Sequence, residues 1–477
     1  MPSSTKPAAV LAIILTSYFM ILLDNSVIFT GLPAIRAGLD LSATQLSWVQ
    51  DAYVLVFGGL LLLAARAGDV LGRRRLFVAG LVVFGAASLL IGLSPNGAWM
   101  IAARAVQGVG AAIVAPTSLA LLTASFDGEA RTRAVAWYAA TAGIGASLGL
   151  LVGGALTEWV SWRAAFLVNV PIAVAMVVGA RRVLVETPRQ HGRPDVVGAL
   201  TATLGMGGLV FAIIESAVTG WTSPRVLLPA AVGVALLVAL VVTESRVAQP
   251  IMPLRLFADR ERSGAYAVRM LYLGAMMGFF FFGTQLMQDG LGFTALQAGL
   301  GFLPMSAVNF AVALAIPRLR TRVGDGVLLT AGTALTLAGM VWFSRAGITD
   351  PYLSAIALPM VLIGAGQGLV FAPLTSAALA RVSGADAGAA SGLLNTAHQL
   401  GSALGLAVLS AVAATAGAGR TGTAAVAARV EGALAGSAVL LALALVVVSV
   451  VLLPRRATTT TPSSSGRSGR EPVVAGR

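Results

Sequence analysis

The sequence predicts an all-α, polytopic membrane protein with fourteen transmembrane helices, and three observations predict it. Hydrophobic residues make up 57% of the 477 and charged residues only 11%, less than half the ~25% charge of an ordinary soluble domain. The apolar residues come in blocks of roughly 20, the length at which a helix crosses a hydrocarbon core of ~30 Å. Arginine collects in alternate segments between the blocks. Backbone polar groups in lipid must be satisfied within the segment, which selects helices; the ~10-residue alternation of a membrane barrel is absent.

In chain order the expected spans lie near 8–31, 47–65, 76–94, 99–122, 134–156, 163–180, 196–216, 226–243, 267–288, 297–316, 326–344, 352–375, 390–414 and 433–453. The first block is too long for a signal peptide and lacks an A-x-A-like exit, so it reads as a span. Threaded alternately, the chain has 32 Lys and Arg; Arg36, Arg163, Arg225, Arg345, Arg420 and Arg429 fall on one side and Arg104 within a span. The remainder fall on the other side. That bias places both termini in the cytoplasm. It also accounts for the net charge of +13 as an orientation signal and not a nucleic-acid patch.

The chain carries an internal repeat. "VAPTSLALL" around Ala115-Pro116 matches "FAPLTSAAL" around Ala372-Pro373, and "GASLGL" at 145–150 matches "GSALGL" at 401–406. "ARAGDVLGRRRL" at 65–76 has a degenerate echo in "PRLRTRVGDGVL" at 317–328. The three separations agree within a few residues, which predicts two homologous halves related by an axis along the membrane normal. The expected division is a first six-helix bundle over 1–184, and linkers with inserted helices 7 and 8 over 185–262. A second six-helix bundle follows over 263–453, with a disordered cytoplasmic tail over 454–477. Paired bundles of this kind place a site near the bilayer midplane and rock around it.

Acids within spans are few: Asp24 in span 1, Asp51 early in span 2, Glu215 near the end of span 7 and Asp289 at the outer end of span 9. A lone charge in lipid is costly and marks a cavity or a partner. With the first helix starting near Ala8, Asp24 lies ~24 Å along the axis, in the outer half of the bilayer. Arg104 sits about one turn into span 4. In the loop after span 2, Asp69 and Arg73 stand four apart, one helical turn, with Gly72 permitting a tight turn between them. In span 5, Gly145, Gly149 and Gly153 recur every four residues and line one face, where another helix can approach closely.

The loop "ARAGDVLGRRRLF" resembles the signature loop of the major facilitator superfamily, with Asp69, Gly72, Arg73 and Arg74 in place and Ala65 where the pattern has glycine. "LDNSVIFTGLPAI", keeping Asp24, Ser26, Leu32 and Pro33, is similar to the first-span pattern of the fourteen-span drug:proton antiporter branch. "ARAVQGVGAA" resembles its fourth-span motif through Arg104, Gln107, Gly108 and Gly110. "SWVQDAYVL" around Asp51, "GIGASLGLLVGG", "WRAAFLVNVP" and "SGLLNTAHQLGSALG" look like further patterns of the branch. Two positions depart from them: Leu150 replaces the span-5 proline, and His398 stands where arginine is frequent. The likeness extends from about residue 15 to 410.

The resemblance implies two six-helix bundles of the major-facilitator type plus two inserted helices. It also implies proton-coupled efflux of hydrophobic or cationic drugs, antiseptics or antibiotics, as in multidrug and antibiotic resistance. Asp24, Asp51 and Arg104 would then serve proton and substrate, Arg104 by modulating a nearby carboxylate. Asp69, Gly72, Arg73, Arg74, Gln107, Gly108 and the span-5 glycines would serve the conformational change, the glycines forming the seam between halves. Desolvation favours the neutral form of a carboxylate, so a buried acid can take a proton from one side and release it to the other.

No enzyme is expected. The chain has no cysteine and two histidines, His191 and His398, which excludes thiol chemistry, iron–sulfur clusters and a His-rich metal site. No GxxxxGK[ST] motif is present, so no ATPase belongs to this chain. The expected drive is the proton gradient, with no cofactor. The expected partners are an amphipathic or cationic small molecule, protons and the lipid bilayer, with no nucleic acid, in a monomer of the cell membrane. Two alternatives stand beside this reading. One is a dedicated natural-product exporter, which the Ala-, Gly- and Arg-rich composition of a high-GC genome suits. The other is a channel or membrane scaffold.

Overall fold

The computed structural model describes residues 7–189, 195–247, 252–347, 350–382 and 386–452, with the side chains of 139, 140, 142–144, 146, 147, 387 and 388 excepted. Lys6, His191, Arg193 and the expected tail over 454–477 lie outside the described residues. The helices are α1 (Pro7–Leu39), α2 (Ala43–Leu71), α3 (Arg73–Gly92), α4 (Gly97–Ser125), α5 (Gly128–Trp159), α6 (Trp162–Leu167), α7 (Asn169–Val183), α8 (Val196–Thr219), α9 (Pro224–Glu244), α10 (Arg260–Gln285), α11 (Ala295–Gly301), α12 (Leu303–Phe343), α13 (Leu358–Ala378), α14 (Ala387–Ala416) and α15 (Gly422–Val447). Among the described residues twelve helical stretches are long and apolar enough to cross a membrane. Each of the fourteen expected segments coincides with a helix. The difference comes from α5, of which the apolar stretch among the described residues is Leu148–Trp159, and from Ala295–Phe343, which counts as one stretch.

Helix α12 runs for 41 residues, about 60 Å at 1.5 Å per residue, or twice a hydrocarbon core. It is two spans in one. Gly324 interrupts it with φ 77° and ψ 163°, a conformation that a residue with a Cβ adopts only under strain. Its counterpart in the repeat, Gly72, turns the chain between α2 and α3 with φ 107°. The internal repeat therefore reappears as backbone geometry: two glycines 252 residues apart, Gly72 and Gly324, make the same sharp turn. Around Gly72, Asp69 pairs with Arg73 at 2.9 Å, and Glu186 accepts hydrogen bonds from the Arg74 and Arg75 amides at 3.0 and 3.1 Å. Around Gly324 the ion pair is Arg320–Asp325 at 2.6 Å. A Cβ on Gly72 would also meet the Glu186 carboxyl carbon at 2.8 Å. Gly72→Ala is thus expected to cost about 1–3 kcal/mol, measured as a lower thermal midpoint of the purified chain; an unchanged midpoint would show that the turn relaxes.

The repeat also governs the packing. Helix α1 lies along α5 and touches α4; α4 packs on α2 and α3, and α3 on α7. In the second half α10 lies along α14 and α15, and α12 folds back on α13 and touches α15. The hairpin of α8 and α9 seats on α2 and α14, where the halves meet; Trp48 stands against Phe211 with centroids 6.1 Å apart. Polar capping closes the loops: Ser42 and Gln45 form a reciprocal capping box on α2, and Asn96 caps α4. At the arginine-rich face Asp259 caps α10, accepting from the Arg262 amide and facing Arg381, and these contacts hold its carboxyl below the usual range.

Two expectations about helix faces change. Helix α1 continues through Pro33 to Leu39 instead of ending near 31. Pro33 is tolerated because only the i−4 bond is lost and the helix is packed on several sides. Asp24 therefore lies 17 residues from Pro7 and 15 from Leu39, near the middle of the helix and not in its outer half. The second change concerns Gly145, Gly149 and Gly153. They face α1, meeting Leu22, then Ser26 and the Leu23 carbonyl, then Val27 and Thr30. The seam between halves lies about 100° round the same helix, where Gly154 abuts Ala295 and the Leu150 carbonyl abuts Gly299 on α11. Leu150, in place of proline, thus sits in the seam itself.

Candidate functional site

The site grows from charges that the helices bring inward. Asp24, on α1, and Arg104, on α4, are both fully buried, and the Arg104 Nη1 donates to Asp24 Oδ2 at 2.9 Å. The second carboxylate oxygen accepts from Gln107 Nε2 at 2.8 Å and from Asn169 Nδ2 at 2.7 Å. Gln107 lies one turn beyond Arg104 on α4, so one helix face supplies both, and its Oε1 accepts from Arg104 Nη1 at 2.6 Å. Its Nε2 also reaches Ser88 Oγ on α3 at 2.9 Å. The rest of the guanidinium is held by α2: Nε donates to the Val49 carbonyl at 3.1 Å, Nη2 to Gln50 Oε1 at 3.5 Å, and the Tyr53 ring lies 4.2 Å away. Five helices thus meet on one ion pair. A buried pair is tolerable only when its remaining lone pairs and donors are satisfied, and here they are.

The approach of α4 to α2 has a local cause. A Cβ on Gly108 would stand 2.6 Å from the Tyr53 carbonyl oxygen, so only glycine lets the two backbones close on the guanidinium. Asn169 opens α7, and the short α6 before it presents Phe166 to Arg104 at 5.8 Å. Gln50 continues the network to Asn25 at 3.3 Å and to Met277 of the second half at 3.9 Å.

Asp51 is one residue beyond Gln50 and points elsewhere. It is fully buried, and neither carboxylate oxygen has a hydrogen-bond partner among the described residues. Its helix face is that of Ser47 and Gly58, which meet α14 at Ser410 (2.8 Å) and at Gln399. Two acids expected to share a task therefore occupy opposite conditions: Asp24 is fully paired and Asp51 unpaired. Asp69, Gly72, Arg73 and Arg74 lie apart from both, at the α2–α3 turn, where Arg73 also donates to the Ala120 carbonyl at 3.3 Å and Arg74 to that of Leu184 at 3.1 Å.

Asn169, Tyr53, Gln50, Ser88 and Glu186 were not foreseen. Asn169 had a signal, a lone amide in the apolar run "FLVNVPIAV"; the others look like ordinary polar residues until the helices are assembled.

The halves touch at the face of the α1–α2 turn. Phe29 stacks on Phe280 with centroids 5.3 Å apart, Gln288 donates to the Thr30 carbonyl at 2.9 Å, and the Leu296 amide donates to Glu158 at 3.0 Å. Toward the arginine-rich face a cavity of about 350 Å³ opens between α12 and α13, lined by Asn309, Ile316, Gln367 and Phe371, with Arg320 at one end. Its size is that of a small-molecule site.

Known proteins share this sequence and architecture. The family model of the Major Facilitator Superfamily matches residues 14–406. The cephamycin export protein of Amycolatopsis lactamdurans is 42% identical over 413 residues, covering 85% of each chain. The puromycin resistance protein of Streptomyces alboniger is 38% identical over 410 residues, covering 84% of this chain and 81% of its own. Among solved structures, a bacterial homologue of the human lysosomal transporter Spinster, inward-facing and occupied, superposes with a TM-score of 0.69 at 14% identity. It covers 94% of this chain and 97% of its own. With a family match over most of its length and relatives of this identity, the chain belongs to the major facilitator superfamily.

Proposed function

We propose that the chain is a proton-coupled exporter of hydrophobic or cationic drugs, antiseptics or antibiotics, working by alternating access in the cell membrane with both termini in the cytoplasm. The observation that carries the reading is the Asp24–Arg104 pair, fully buried where five helices meet. A fixed structural charge pair gains nothing over apolar packing, whereas a proton acceptor needs this arrangement. When a proton neutralises Asp24, Arg104 loses its counter-ion and the helices that hold it must rearrange; when the proton leaves, the pair reforms. Each proton entering down the potential supplies ~2.3 kcal/mol per 100 mV. The two bundles, divided near 184 and 263 with α8 and α9 inserted, would rock about the seam of α5 and α11.

In this reading the arginine-rich face is cytoplasmic, the contacts around Phe29, Thr30 and Glu158 close the outer side, and the cavity between α12 and α13 takes cargo from within. The relatives favour one narrower variant: one is a cephamycin export protein and another a puromycin resistance protein, which supports a dedicated natural-product exporter of the same mechanism. In proteoliposomes carrying the purified chain, adding a transported compound is expected to drive proton movement in fixed ratio to compound moved. Compound-independent ion flux would overturn antiport and indicate a channel.

A further inference from the structure

We infer that the second half holds an oxyanion site centred on Arg269, so that the cargo of this exporter includes amphiphiles bearing a carboxylate or a similar monoanionic oxyacid. Naming that cargo rests on the export reading; the binding site itself does not.

Arg269 lies on α10 and is almost wholly buried, at 8% exposure. No carboxylate lies within 4 Å of it among the described residues, in contrast to Arg104, whose counter-ion is at 2.9 Å. Its Nη2 meets His398 Nδ1 of α14 at 3.1 Å. A guanidinium can only donate, so Nδ1 is the acceptor and the imidazole proton sits on Nε2. His398 therefore orients Arg269 without neutralising it. The other two nitrogens, Nε and Nη1, have no hydrogen-bond partner among the described residues. Buried donors of this kind are rare unless something else fills them.

The position of these donors suggests what fills them. The guanidinium lies 4.6 Å from the centroid of the Phe371 ring, and Phe371 also lines the 350 Å³ cavity between α12 and α13. Gln367, one turn before Phe371, lines the same cavity, and its Oε1 has no partner among the described residues. The Phe371 ring thus joins the unpaired cation to the cavity wall on which Gln367 also lies. Nη1 and Nε each leave a charged donor unfilled, and a carboxylate oxygen is the acceptor that makes such a charge-assisted hydrogen bond strongest.

The charge argument separates this site from Asp51. An unpartnered buried carboxylate can be neutralised by a proton, but arginine stays charged, so Arg269 requires an anion. Met270 on the same helix faces Gly401 of α14, and Tyr272 donates to or accepts from Thr336 at 2.9 Å; neither supplies charge.

The test is equilibrium binding to the full chain in detergent, followed by dansyl fluorescence, with two probes of one body: 11-(dansylamino)undecanoate and its uncharged carboxamide. The wild-type chain is expected to hold the acid at least about tenfold more tightly than the amide, one charge-assisted hydrogen bond or more. Arg269→Gln should bring the ratio to about one while leaving amide affinity in place, and Arg225→Gln, at the exposed start of α9 away from the cavity, should leave the ratio unchanged. A wild-type ratio near one, or a ratio that survives Arg269→Gln, overturns the proposal. Should Arg269→Gln not fold, Arg269→Lys keeps the charge but moves it off the planar guanidinium that His398 orients, and the ratio is expected to fall severalfold; an unchanged ratio again overturns it. A chain that prefers the acid but moves nothing in vesicles defeats the export reading alone. A chain that exports dyes with no acid preference defeats this one alone.

Discussion

Asp24→Asn is expected to reduce pH-driven efflux to background and, at the same time, to lower the stability of the protein. The two effects have one origin. The carboxylate accepts from Arg104, Gln107 and Asn169, and the amide that replaces it carries no charge and presents donors where those residues also donate. Arg104 is then a buried cation without a counter-ion, a condition that costs about 3–5 kcal/mol when one member of a buried pair is removed. Asp24→Asn/Arg104→Gln removes the stranded charge and is expected to recover most of the thermal midpoint without recovering efflux. The measurement is a melting curve of purified protein beside efflux of a cationic dye from everted vesicles under an imposed pH step. Normal efflux in the single variant removes Asp24 from the proton path. A double variant no more stable than the single one shows that the pair was not the source of the loss.

The membrane class, the spans and the charged residues that matter were legible because each is written locally. Twenty apolar residues are a length, and an acid or an arginine among them is an anomaly visible without any neighbour. What was not legible depends on partners distant in the chain. Asp24 and Arg104 are 80 residues apart, and nothing in either segment names the other. Asn169 stands out as a lone amide in an apolar run, but nothing in that run names Asp24, 145 residues away, as its partner. The glycines of α5 show the limit well. Their four-residue spacing announced a close helix contact, and the contact exists, but periodicity cannot say which helix lies opposite. The structure puts α1 there, and the seam between the halves one residue further round, at Gly154 and Leu150. In the same way the first span is expected to end near residue 31, although packing on α4, α5 and α7 carries α1 through Pro33 to Leu39 and moves Asp24 to its middle. Where the sequence did foresee three-dimensional geometry, it did so through the repeat: Gly72 and Gly324 could be aligned before either was known to turn the chain.

Asp51→Asn is expected to behave oppositely to Asp24→Asn in stability while sharing its loss of coupling. No hydrogen bond ends on the Asp51 carboxylate among the described residues, so the substitution strands no partner there and removes a group whose ionised form is costly to bury. The thermal midpoint should stay within the equivalent of about 1 kcal/mol of the wild type, the scale of a single net hydrogen bond. Coupling should nonetheless fail, because an amide cannot take up and release a proton where the Asp51 carboxyl, buried at the α2–α14 contact, can. Ser47 and Gly58 place Asp51 on the face that meets α14, where the halves touch, so a charge appearing there is felt by both. Efflux in Asp51→Asn vesicles should therefore lose its response to an imposed pH step while substrate binding to the purified variant persists. A large fall in midpoint would mean that Asp51 holds a partner in another conformation of the transporter, and an intact pH response would leave Asp24 as the sole carrier of the proton. The two substitutions are chemically identical, yet their expected effects on stability diverge because one carboxylate has a cation beside it and the other, among the described residues, has none.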